Sequence, residues 1–123
     1  MTDEQSRANR IAGMNDEFRR QAGLALSDMR RVPGRCFMTA GVAALGRQAQ
    51  AEILDRVRQF SDFEAGNDPH REHDFGAIST PDGEHVFWKI DYYADEAMEF
   101  GADEPADPTR SFRVMTIMLA AEY

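Results

Sequence analysis

Thr80-Pro81-Asp82-Gly83 constrains this chain more than any other stretch. Proline at the second position presets φ for a type I turn, and Gly83 supplies the positive φ that a bulged hairpin needs. Beyond the turn the residues alternate: Val86, Trp88, Ile90 and Tyr92 fall on one strand face, the expected core face. His73, Phe75, Phe87, Lys89, Asp91 and Tyr93 fall on the other. With Thr80 facing Glu84, the register sets Ile78 against Val86, Gly76 against Trp88 and His73 against Asp91. A slip of one residue would instead set Asp74 against Lys89. Either register gathers a group of His73, Asp74, Lys89 and Asp91 at one end of the hairpin.

The remaining elements follow from periodicity. Ile11, Met14, Phe18 and Ala22 succeed one another at spacings of three and four, the apolar stripe of a helix over residues 5–22. Gly23 is its expected C-cap, with Arg19 and Arg20 in the last turn where the dipole favours cations. Leu24 to Arg31 adds a short turn that Val32-Pro33-Gly34 stops, and Arg35 to Thr39 is a short strand. The stretch Thr39 to Gln48, with glycines at 41 and 46, has the placing of a phosphate loop. Arg47-Gln48, however, stands where lysine and a hydroxyl residue would be needed to hold phosphate and Mg²⁺. It reads as a glycine-bounded turn into a second helix, Arg47 to Phe60, with Ile53, Val57 and Phe60 inward. Ser61 to Glu72 is a polar connector, Ala94 to Phe100 one or two helical turns, and Gly101 to Pro108 loop. Ser111 to Ala121 is almost continuously apolar, and its Val/Ile/Thr content fits a central strand buried on both faces. A helix is the rival reading there, since Met, Leu and Ala favour helix.

A chain of 123 residues is expected to form one domain, residues 1–123. No apolar run approaches the roughly 18 residues of a membrane span. The polar, acid-containing N-terminus matches neither a secretory signal nor a transit peptide. Cys36 is the single cysteine, which leaves no internal disulfide and no cysteine-based zinc site; a reducing cytoplasm is the expected location. The net charge of -8 is uneven. Residues 1–35 hold seven arginines against five acids, a balance of +2, which leaves seven bases against seventeen acids beyond them, a balance of -10. Direct binding of nucleic acid by the C-terminal two thirds is therefore not expected.

A carboxylate opposite an imidazole fixes its tautomer and raises its basicity, the arrangement that general-base catalysis uses. In that reading His73 is the base, Asp91 orients it and Lys89 holds an anionic group of a substrate. The same pair is also an ordinary structural contact, and a nucleophile is missing: Ser79 lies several residues away and Cys36 sits in an apolar strand. His70-x-x-His73-Asp74, preceded by Asp68, has metal-ligand residue types, but on an extended chain the two histidines point to opposite faces. Neither a metal nor a cofactor is expected. From Asp91 to Asp107 there are seven acids and no base. Within it Asp95, Glu96, Glu99, Asp103 and Glu104 form a candidate interaction surface, since clustered carboxylates dock onto a basic partner. The plain alternative is a solvated loop that keeps the protein soluble.

Asn67-Asp68-Pro69, Glu72 to Gly76, Phe87 to Tyr93, Pro105 to Pro108 and Val114 to Ala120 together resemble a family of small bacterial proteins, domain-of-unknown-function family 3768. Asn15-Asp16-x-Phe18-Arg19 and Thr39-x-Gly41-Val42 are similar to its N-terminal blocks. The resemblance implies no activity. Its members are often carried on plasmids and other mobile elements, which implies a counter-defence or maintenance role. Where this chain has His70-Arg71 the family tends toward an aromatic residue and glycine, which counts against a two-histidine metal site. His73, Asp74, Lys89 and Asp91 stay within the pattern.

The expected fold is α+β, a small, mainly antiparallel sheet of about four strands with two helices on one face. The leading functional expectation is a non-enzymatic acidic interaction module. Its partner would be a protein, basic or nucleic-acid-binding in character, rather than nucleic acid itself or a membrane. The rival is a hydrolase or small-molecule binding protein centred on His73, Asp74, Lys89 and Asp91.

Overall fold

The computed structural model describes residues 2–23 and 32–123. Helix α1 (Asp3–Arg20) opens on a capping box, in which the Thr2 hydroxyl accepts the Gln5 backbone N–H and the Gln5 side chain accepts the Thr2 amide. That cap, rather than the apolar stripe, sets the start of the helix, so it begins earlier than the spacing alone indicates. Ile11, Phe18 and Ala22 of the stripe are buried and Met14 packs beside them. The expected turn over Leu24 to Arg31 lies outside the described residues.

Strand β1 (Gly34–Met38), helices α2 (Ala40–Ala43) and α3 (Arg47–Gln59), strands β2 (Phe75–Ser79), β3 (His85–Tyr93) and β4 (Phe112–Leu119) follow, then a 3-10 turn, Ala120–Glu122. The strand order is β1-β4-β3-β2. Strands β2, β3 and β4 pair antiparallel, while β1 runs parallel to β4, which makes the sheet mixed. The Ser111 to Ala121 run is indeed the central strand, β4 taking Phe112–Leu119 of it; Met115 and Ile117 on one face and Val114 and Met118 on the other are buried. The α+β class holds. Its third helix, α2, is a single turn capped by the Thr39 hydroxyl.

The hairpin turn closes as its residues dictate: Thr80 N–H reaches Glu84 O at 2.9 Å, and Gly83 adopts φ 88°. Ile78 faces Val86 and Gly76 faces Trp88. The indole fills the space that a side chain at 76 would need, with Nε1 only 2.3 Å from the position of an added Cβ. Val86, Trp88, Ile90, Met115 and Ile117 form the covered face of the sheet, packed against Phe18, Val42, Ile53 and Val57 of the three helices. The three helices among the described residues therefore lie on one side.

Residues 94–100 are not helical. Asp95 Oδ1 accepts the Ala97 N–H at 3.0 Å and Met98 takes φ 57°, and both divert the chain from a helical path. Bonds from Ala94 N to Phe100 O (2.8 Å) and from Ala102 N to Tyr92 O (3.1 Å) fold the segment back as a tight extension of β3.

Candidate functional site

The hairpin register carries on through Asp74, whose carbonyl accepts the Ile90 N–H at 2.8 Å, and then breaks. His73 adopts φ 56°, so the chain turns away and His73 does not meet Asp91. Its partner is Asp16 on α1. His73 Nδ1 lies 2.9 and 3.1 Å from the two Asp16 oxygens, and since a carboxylate only accepts, the Nδ1 proton points at Asp16. Nε2 faces Asp68 Oδ2 at 3.7 Å. The ring stacks flat on Phe63, centroids 3.8 Å apart. Asp68 itself is buried and organises the connector, its Oδ1 accepting the N–H of both Glu72 and His73 at 3.1 Å. A cleft of about 510 Å³ between α1 and the connector opens on Asp16, Asp68 and His73. A second, of about 670 Å³, shares Asp16, Phe63 and His73 and is otherwise lined by residues such as Arg19 and Arg58.

Behind this cleft lies a buried polar network. Arg19 donates to Asp16 Oδ1 (2.5 Å), Val57 O (2.9 Å) and Phe60 O (3.0 Å), with its guanidinium over the Trp88 ring. Burial pulls its pKa down, against the pull of Asp16. Arg113 on β4 is fully buried; it donates to Asn15 Oδ1 (2.5 Å), Ser111 Oγ (3.1 Å) and Pro105 O (2.7 Å) and lies over the Tyr92 ring. Asn15 Nδ2 in turn donates to Glu72 O (2.9 Å) and the Tyr92 hydroxyl (2.8 Å), which donates to Glu72 Oε1 (3.0 Å). Burial and then the Glu72 carboxylate push the Tyr92 hydroxyl pKa up. In the sequence Asn15 and Asp16 stand out only as part of a family block, and Arg19 beyond that only as a cation of the last helical turn. Arg113 is missed by the sequence reading; the signal that could have found it is a lone arginine inside an apolar strand, which requires buried acceptors.

The group of His73, Asp74, Lys89 and Asp91 is therefore divided. Lys89 Nζ pairs with Asp91 Oδ2 at 3.3 Å on the sheet face away from the helices, while His73 turns to α1. Asp74 is half-buried between them, its pKa raised by burial first and by Glu72 second. Ser79 Oγ faces His85 Nδ1 at 3.2 Å and Cys36 packs against the core, so neither serves His73. His70 is exposed, and among the described residues no three His, Cys, Asp or Glu side chains gather in a metal-holding arrangement.

Of the acidic stretch, Asp95, Glu96, Glu99 and Asp103 are exposed. Glu104 is not a free member of that surface, because it accepts Arg7 Nε of α1 at 3.1 Å. Among these acids Phe100 projects with 75% of its surface exposed.

A family model described as Protein of unknown function (DUF3768) matches residues 38–122. The chain belongs to that family. The match runs from the end of β1 through the closing 3-10 turn, and so takes in Asp68, His73, Lys89, Asp91 and the acidic loop. Asn15, Asp16 and Arg19 lie before it. No curated protein and no solved structure matches the chain. Among the described residues no helix is long and apolar enough to cross a membrane.

Proposed function

We infer that this member of the family is a non-enzymatic protein-interaction module, and that the loop from Ala94 to Asp103 is its docking surface for a basic protein. The observation that supports this is Phe100, three-quarters exposed in a segment tied at both ends by backbone bonds, which also carries the exposed Asp95, Glu96, Glu99 and Asp103. Interfaces draw most of their energy from a few aromatic or arginine anchors, and a preordered loop loses little entropy on binding. The carboxylates around the anchor steer a basic surface toward it and set the salt dependence of the encounter. A cytoplasmic partner in a host defence or regulatory complex fits the association of the family with mobile elements.

The catalytic alternative is weaker in this geometry. Its proposed orienting acid, Asp91, and anion holder, Lys89, stand on the sheet face opposite to His73, and the Asp16–His73 pair has no nucleophile beside it among Ser79 and Cys36. The test is a pull-down from host lysate with the parent, with Phe100→Ala, and with Asp95, Glu96, Glu99 and Asp103 changed to lysine. A partner that is lost in both variants, and whose capture by the parent weakens with salt, is expected. An unchanged partner set in folded variants would falsify the reading.

A further inference from the structure

With the three described helices on one side, the other face of the sheet has no described helix over it, yet most of its side chains are apolar. In register across the strands, Phe37, Thr116, Lys89 and Phe75 form one row of that face. Met118 and Phe87 flank it on one side, Val114 and then Phe112 on the other. Phe112, Val114 and Met118 are at most 9% exposed, and the Arg35 guanidinium lies 5.9 Å from the Phe112 ring centre. Phe75, Phe87 and Tyr123 form an aromatic group with centroids 5.2 to 6.0 Å apart. Phe37, 44% exposed on the edge strand, and Tyr123, 75% exposed, mark the two sides of the patch.

The charges decide what covers it. Within these rows Arg35, Lys89 and Asp91 are the charged residues, two bases and one acid on a chain of net charge -8. A basic partner finds no acidic field here, and the few cations are too sparse to hold a polyanion against the acidic remainder. Lys89 and Asp91 stand two residues apart on β3, so a two-fold axis passing between them sets each against the opposite charge of a second copy. We propose that this face joins two copies of the chain, sheet against sheet, in an isologous dimer. The spacing of such packing, about 10 Å, lets the aromatic side chains interdigitate. This surface is separate from the acidic loop, so either can fail without the other.

Sedimentation equilibrium tests the proposal, with thermal unfolding as the control for fold. The parent chain is expected to be a dimer at micromolar concentration. Phe37→Asp and Tyr123→Asp, both at exposed positions, should each weaken it by roughly thirtyfold or more. Lys89→Asp and Asp91→Lys should each give monomers, because like charges then meet across the axis, and an equimolar mixture of the two should form a heterodimer. That rescue separates an interface from the pair within one chain. A parent that stays monomeric, a dimer indifferent to Phe37→Asp and Tyr123→Asp, or a charge-variant mixture that stays monomeric would each overturn the proposal.

Discussion

Arg113 Nε donates to Asn15 Oδ1 across 2.5 Å, joining the central strand to the first helix ninety-eight positions away. Both residues are fully buried, and Asn15 also donates to Glu72 O and the Tyr92 hydroxyl. Asn15→Ala should therefore cost about 3 kcal/mol of folding stability, since it strands a buried guanidinium N–H and two partly buried acceptors at once. Chemical denaturation would show it as a lowered midpoint with unchanged slope. A loss no larger than that of an exposed substitution would mean that water replaces the amide.

Gly76 and Trp88 make a second long-lever contact. A Cβ at 76 would fall 2.3 Å from Trp88 Nε1 and 2.5 Å from Cε2, and the indole is fully buried in the core. Gly76→Ala should cost roughly 1–3 kcal/mol through overpacking, with a change in tryptophan fluorescence as the ring is displaced. Unchanged fluorescence and stability would show that β2 yields instead.

How much of this was legible depends on the range of the interaction. The hairpin, its register from Ile78 to Gly76 and the double-sided burial of β4 follow from turn chemistry and a period of two, which are local properties. The partner of His73 did not, because the strand reading was carried two residues past its end. Asp68 takes the Glu72 and His73 amides, and that loop geometry redirects the imidazole to α1. A contact between residues 16 and 73 leaves no periodic trace in either segment. The Ala94 to Phe100 segment departs from the helical expectation for a related reason: its residues tolerate helix, but Asp95 accepts the Ala97 amide instead. The parallel pairing of β1 is likewise invisible in a five-residue strand.

Two carboxylates should give opposite pH signatures. The Glu122 side chain accepts Thr39 Oγ1 (2.6 Å), Leu119 N (2.8 Å) and Gly41 N (3.2 Å), and these bonds, that of Thr39 first, hold its pKa below the usual value. A lowered folded pKa contributes stability that is present above the unfolded carboxylate pKa and lost as pH falls through the folded one. Glu122→Gln should thus be less stable than the parent near neutrality and equal to it in acid. For Asp74 burial raises the folded pKa, so ionisation opposes folding. Asp74→Asn should gain stability above that raised pKa, and the gain should vanish as pH falls below the ordinary carboxylate value. Unfolding midpoints from pH 3 to 8 separate the two; parallel curves for either variant would contradict its assignment.

His73 and Lys89, once candidates for a common site, should now part company. The His73 ring holds Asp16 at 2.9 Å and stacks on Phe63, while its backbone sits at φ 56°, a region costly for most side chains. Lys89 is 40% exposed and its pair with Asp91 is a surface one. In the monomer, Lys89→Ala should move stability by no more than about 0.5 kcal/mol. His73→Ala should cost about 1–3 kcal/mol, the range for breaking a partly buried hydrogen-bonded contact. His73→Gly loses the same ring contacts but accepts positive φ without strain, so it should be less damaging than alanine, against the usual ranking of the two residues. Equal losses for glycine and alanine would place the whole contribution of His73 in its ring; a loss for Lys89→Ala as large as for His73→Ala would reunite the cluster that the fold divides.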